Sequence, residues 1–167
     1  VVALQRDFGR VREQMEKARN DPTTPDTRLS DNPNSLNPAT IGSLVELMLG
    51  GMVPRYGCPL HWRQRYFDPA QKRAGMPEGV GALVERLEAN STTVTLVNTD
   101  QVAGREVIVQ GGAYAEHRFD KVTIDGKVSK VDGTSFALQL APGAGARLEI
   151  ATQRYASPPT FAFPWDR

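Results

Sequence analysis

The sequence predicts a mainly β protein: an antiparallel β-sandwich of about seven strands, preceded by a helical and extended N-terminal region. Three observations lead there. After Asn90 the chain breaks into short runs rich in strand-forming residues, with candidates at 92–99, 105–110, 118–124, 127–131, 134–140 and 146–155. Asp125-Gly126, set between Val122-Thr123-Ile124 and Lys127-Val128, is a two-residue hairpin signal, because both residues readily take the positive φ that such a turn requires. Prolines are unevenly spread: eight of the twelve precede residue 80, and Pro142 alone falls between Ser91 and Tyr155. Three regions follow from this: helices, an arm and one strand over 1–90, the sandwich over 91–155, and a tail rich in proline and aromatic residues over 156–167.

Leu4, Phe8, Val11, Met15 and Ala18 succeed one another at spacings of 4, 3, 4 and 3, which predicts a helix over 4–20 with a single apolar stripe. The same spacing suits a short coiled-coil pairing. Asn20-Asp21-Pro22 ends the helix. From Asp21 to Asn37 the only large apolar residues are Leu29 and Leu36, while Arg28, Asp31, Asn32, Asn34 and Asn37 offer polar groups to another backbone. A segment of this length without an element of its own is either disordered or an arm lying on something else, and the arm is the expectation because apolar elements continue after it. Asn37-Pro38 reads as an N-cap followed by proline at the first helical position, and Gly50-Gly51 as the stop. Ile41, Leu44, Val45 and Met48 share one face of that helix, with Leu47 and Leu49 outside it, so it needs cover on more than one side.

Leu60 to Phe67 alternates, with Leu60, Trp62 and Tyr66 turned one way and His61, Arg63, Arg65 and Phe67 the other, as in a strand near a sheet edge. Pro77 is expected to open a further helix with Val80, Leu83, Val84 and Leu87 as its stripe. Within the sandwich, Phe136, Leu138 and Leu140 alternate with Ser135, Ala137 and Gln139, and Leu148 and Ile150 repeat the pattern.

Charge excludes some functions. Twenty basic residues stand against nineteen acidic ones, for a net charge of +1, so no nucleic-acid-binding arm is expected. No apolar run reaches about 18 residues, so no membrane span is expected either. The first methionine is Met15, and Val1 is therefore expected to be a processed or cut end.

The most distinctive stretch is Gly111-Gly112-Ala113-Tyr114-Ala115-Glu116-His117-Arg118. Two glycines permit a bulge or a close backbone approach, and an acid, a titratable base and a cation follow them. A small hydrolase or lyase would use His117 as general base, oriented by Glu116, with Tyr114 nearby. Against this, neighbours on a strand face opposite sides, and a bulged sheet corner with a packed histidine explains the same residues. Cys58, His61 and His117 could together supply three zinc ligands, yet paired ligands at close spacing are missing, so neither a metal nor any cofactor is expected. Arg63 and Arg65 lie two apart beside His61 and could form an anion-binding strip or pair with carboxylates. Trp62, Tyr66 and Trp165 are the rings a carbohydrate-binding module would use. Phe161, Phe163 and Trp165 concentrate aromatic surface among prolines in the tail, which is expected to run extended and to dock on the chain's own core or on another domain. No phosphate-binding loop, dinucleotide fingerprint, zinc-protease or serine-hydrolase motif occurs.

Thr93-Val94-Thr95-Leu96-Val97-Asn98, followed by Phe136-Ala137-Leu138-Gln139-Leu140-Ala141-Pro142-Gly143-Ala144-Gly145-Ala146-Arg147-Leu148-Glu149-Ile150, resembles the C-terminal all-β accessory domain of many glycoside hydrolases and related multidomain enzymes. In those domains a valine-rich strand ending in Asn and a strand, Leu, Pro-Gly turn, strand hairpin recur. The resemblance spans residues 91–155 and implies a non-catalytic domain packed against a catalytic body, with no catalytic residue to transfer. The leading expectation is thus a non-catalytic sandwich module, a terminal piece or small subunit of a larger enzyme, whose partner is another protein domain. A carbohydrate-binding module and a small enzyme built around Glu116 and His117 are the alternatives.

Overall fold

The computed structural model describes residues 1–24, 37–53 and 59–167. The expected arm at 21–37 and Cys58 therefore lie largely or wholly outside the described residues. The chain forms two compact units, Val1–Leu44 and Val45–Arg167.

The first unit holds α1 (Val2–Arg19), along which Asp7 is the one buried residue. Leu4, Phe8 and Met15 are exposed, and the Arg12 guanidinium lies over the Phe8 ring at 4.5 Å. Oδ2 of Asp7 accepts the Ser43 N–H at 2.8 Å, in the first turn of α2 (Gly42–Leu49). That amide, more than any other group, holds the Asp7 carboxyl below its ordinary pKa. The helix was expected to start at Pro38 and starts at Gly42 instead. Asn37 spends its side chain on a local turn, accepting from the Ala39 N–H at 2.9 Å, and the cap comes from Asp7.

The second unit is the sandwich. Its nine strands among the described residues are β1 (Gln64–Asp68), β2 (Arg73–Ala74), β3 (Val80–Leu87), β4 (Ser91–Asn98), β5 (Arg105–Gly111), β6 (Arg118–Ile124), β7 (Lys127–Gly133), β8 (Ser135–Leu140) and β9 (Gly145–Gln153). They form a four-stranded sheet in the order β2-β1-β5-β8 and a five-stranded sheet in the order β3-β4-β9-β6-β7. All described pairings are antiparallel. Val94 and Leu96 of β4, Leu148 and Ile150 of β9 and Phe119 and Val122 of β6 line the inner face of one sheet. They meet Tyr66 of β1, Val107 and Val109 of β5 and Leu140 of β8 from the other. Alternate residues such as Thr95, Arg147 and Glu149 face outward, the period-2 pattern of a half-buried sheet. Each fully buried aliphatic chain of this core contributes roughly 1.5–3 kcal/mol. No helix of the described residues is long and apolar enough to cross a membrane.

The helix expected after Pro77 is strand β3. Val80, Leu83, Val84 and Leu87 fit a helical stripe, but Val80, Ala82 and Val84 also alternate, and these three pack on the core while Leu83 and Leu87 are exposed. The pairing partner decides between the two periods: β3 forms a hairpin with β4, whose Thr92–Val97 run is committed to the sheet.

Asn98, which ends β4, is fully buried. Its amide donates to the Ala103 and Ala141 carbonyls at 2.9 and 3.1 Å, and its Oδ1 accepts the Asp100 N–H at 3.1 Å. One side chain thus joins the β4–β5 connection to the β8–β9 turn. On the outer face of the four-stranded sheet, Phe67, Ile108 and Ala137 stand in register as an apolar row. The tail crosses this face: Phe163 and Trp165 meet the Phe67 ring edge-on at 6.1 and 5.9 Å. A single 3-10 turn, Pro164–Asp166, interrupts the tail.

Candidate functional site

The distinctive glycine-rich segment forms an arch between β5 and β6. Gly112 takes φ +81° and Ala115 φ +60°, so the chain reverses twice within five residues. The reversal folds Glu116 back beneath Gly112, where a Cβ on the glycine would lie 2.3 Å from the carboxylate. Oε2 of Glu116 accepts the Tyr114 N–H at 2.7 Å. A Cβ on Gly111 would lie 2.4 Å from the His117 carbonyl oxygen, and the His117 N–H closes the arch onto the Gly111 carbonyl at 3.1 Å. A side chain at Gly111 would meet backbone, and one at Gly112 would sit at a positive φ and have to displace the Glu116 carboxylate.

Glu116 and His117 are both buried, yet each takes a different backbone amide as partner. Nδ1 of His117 accepts the Tyr155 N–H at 3.1 Å, and the two rings meet edge-on at 4.8 Å. Burial is the main force lowering the His117 pKa; Arg154 and Arg63 act in the same direction, and Glu116 acts against them. The third candidate, Tyr114, packs its ring edge-on against Phe161 at 5.5 Å, and its hydroxyl lies 3.5 Å from the Leu60 N–H.

Arg63 and Arg65 do not act as a pair. Arg63 donates to the Glu88 and Ala89 carbonyls at 2.7 and 3.1 Å, at the β3–β4 turn. Arg65 donates to the Ala113 carbonyl at 3.0 Å and lies over the Phe67 ring at 5.0 Å. Carbonyls take the donors that an anion or a neighbouring carboxylate was expected to take. Trp62 is half-buried with Nε1 directed to the Met52 carbonyl at 3.4 Å. Phe163 and Trp165 stack on each other, centroids 4.9 Å apart and planes 8° apart, so each covers a ring face of the other.

Two residues that sequence reasoning passed over complete the arrangement. Gln110 reaches the Gly112 and Ala113 carbonyls at 3.2 and 3.4 Å and accepts from Arg167 at 2.5 Å. Gln64 reaches the Tyr66 hydroxyl and the Met48 carbonyl at 3.3 and 3.4 Å. The two glutamines lie at one end of the β1–β5 pairing, one on each strand, where Gln64 opposes Gly111 and Gln110 opposes Arg65. Elsewhere, a shallow cleft of about 230 Å³ is lined by Asp68, Gln71, Glu78, Arg105 and Glu106. The Asp68 carboxylate there accepts the Gln71 N–H at 3.2 Å and faces Arg73 at 3.3 Å. No grouping of three or more His, Cys, Asp or Glu side chains suited to a metal ion occurs among the described residues.

No protein-family model matches the chain, and comparison with curated proteins and with solved structures also gave no match.

Proposed function

We propose that the chain is a non-catalytic β-sandwich module that packs against another protein domain, as a terminal piece or small subunit of a larger enzyme. The observation that carries this reading is the apolar stripe of α1. Leu4, Phe8 and Met15 recur on one side of an 18-residue helix, and within their own unit all three are exposed among the described residues, Phe8 by 57%. A helix with this pattern ordinarily buries its stripe. The arch supports the same reading from another direction. The hydrogen bonds of the Glu116 carboxylate and of His117 Nδ1 go to main-chain amides, which gives both residues an architectural task without invoking a reaction.

The test is hydrogen exchange on the isolated chain, with light scattering over a range of concentrations. We expect the amides of α1 to exchange far faster than those of β4 and β9, or the chain to self-associate and hide the stripe. A strictly monomeric chain with α1 protected as well as β4 would contradict the reading.

A further inference from the structure

The tail is fastened at its root by a histidine. Tyr155, at φ +54°, turns the chain off the end of β9 and donates its N–H to Nδ1 of His117 at 3.1 Å. A ring nitrogen that accepts a hydrogen bond carries no proton, so His117 is neutral here with its proton on Nε2. Beyond this point the Ser157 N–H donates to the Glu116 carbonyl at 3.3 Å and the Thr160 N–H to the Tyr114 carbonyl at 2.8 Å. Phe163 and Trp165 then cover Phe67, and Arg167 ends on Gln110 and Thr134. The tail is thus a strap, tied to the arch at one end and lying over Phe67 at the other.

We propose that His117 is a proton-operated latch for this strap: neutral imidazole holds it, and protonation releases it and uncovers Phe67. The reason lies in hydrogen-bond polarity. An imidazolium donates from both nitrogens, so a protonated Nδ1 would direct its N–H at the Tyr155 N–H, and an acceptor pair becomes two opposed donors. The charged and titratable groups facing the ring are Glu116 from the arch, Arg154 and Tyr155 from the end of β9, and Arg63 from the approach to β1. Burial and the two arginines favour the neutral ring more than Glu116 favours the charged one, so the pKa lies below the ordinary histidine value near 6.5. The latch is therefore fully closed above pH about 6.5 and is lost as pH falls through the lower value of the folded protein.

The experiment is hydrogen exchange of the full chain at pH 8 and pH 5, expressed as protection factors that remove the intrinsic pH dependence. In the wild type, protection of Tyr155, Ser157 and Thr160 is expected to fall by roughly tenfold or more in acid, while β4 and β9 keep theirs. His117→Asn places a carbonyl oxygen near the position of Nδ1 with no titrating group, and should keep the strap protected at both pH values. Equal wild-type protection at the two pH values overturns the latch. So does the same acid loss in His117→Asn, or a loss spread evenly over the core strands. Should His117→Asn fail to fold, the wild type decides by NMR: the His117 imidazole and the Tyr155 amide must titrate with one midpoint, and separate midpoints overturn the proposal.

Discussion

Gly112→Ala is expected to destabilise the protein by about 2–5 kcal/mol, read as a lowered midpoint of denaturant unfolding. Two costs add. A side chain at φ +81° carries the left-handed penalty of roughly 1–2 kcal/mol. The new Cβ would also stand 2.3 Å from the Glu116 carboxylate, which must shift, and the second cost is the weakening of its bond to the Tyr114 N–H. Gly126→Ala separates the two. Gly126 has nearly the same φ, +84°, but no atom within 4 Å of a built Cβ, so only the conformational cost of roughly 1–2 kcal/mol applies. Equal losses at the two glycines would mean that the Glu116 carboxylate is not lodged under the arch.

Phe67→Ala is expected to cost about 3–5 kcal/mol, the range for deleting a buried aromatic ring. Phe67 faces away from the sandwich interior, yet only 2% of it is exposed, because Phe163, Trp165 and the Arg65 guanidinium close over it. The loss should therefore be shared with the strap. In a double-mutant cycle with Trp165→Ala, the coupling is expected at about 0.5–1.5 kcal/mol, and additive losses would place the strap elsewhere in solution. The outer face of the four-stranded sheet thus acts as a second, smaller packing layer.

Much of the sandwich was legible because its residues alternate on a period that needs no knowledge of the partner. Leu148 and Ile150, or Val94 and Leu96, point inward in any antiparallel arrangement that buries one face. Asp125-Gly126 gave its turn locally, with φ +48° and +84° at the two positions. What could not be read rests on pairs distant in sequence. Val80–Leu87 fits two periods, and only its hairpin with β4 selects one. The cap of α2 comes from Asp7, 36 residues upstream of Ser43. In the arch, composition drew attention to Glu116 and His117, but strand alternation described them poorly, because Ala115 at φ +60° breaks the extended backbone that alternation assumes. The partner of His117 lies 38 residues away, at a tyrosine with positive φ that nothing local marks. Phe67 was read as turned away from Tyr66, and it is; that a tail nearly one hundred residues later would bury it has no local signal.

Chemical denaturation of Glu116→Ala tests most directly whether Glu116 has an architectural task in the arch. Glu116 is buried, and its removal leaves the Tyr114 N–H without its acceptor, so a loss of about 1.5–3 kcal/mol is expected if its task is architectural. Stability unchanged or raised by the substitution, as expected when a carboxylate is held at an energetic cost for chemistry, would contradict it.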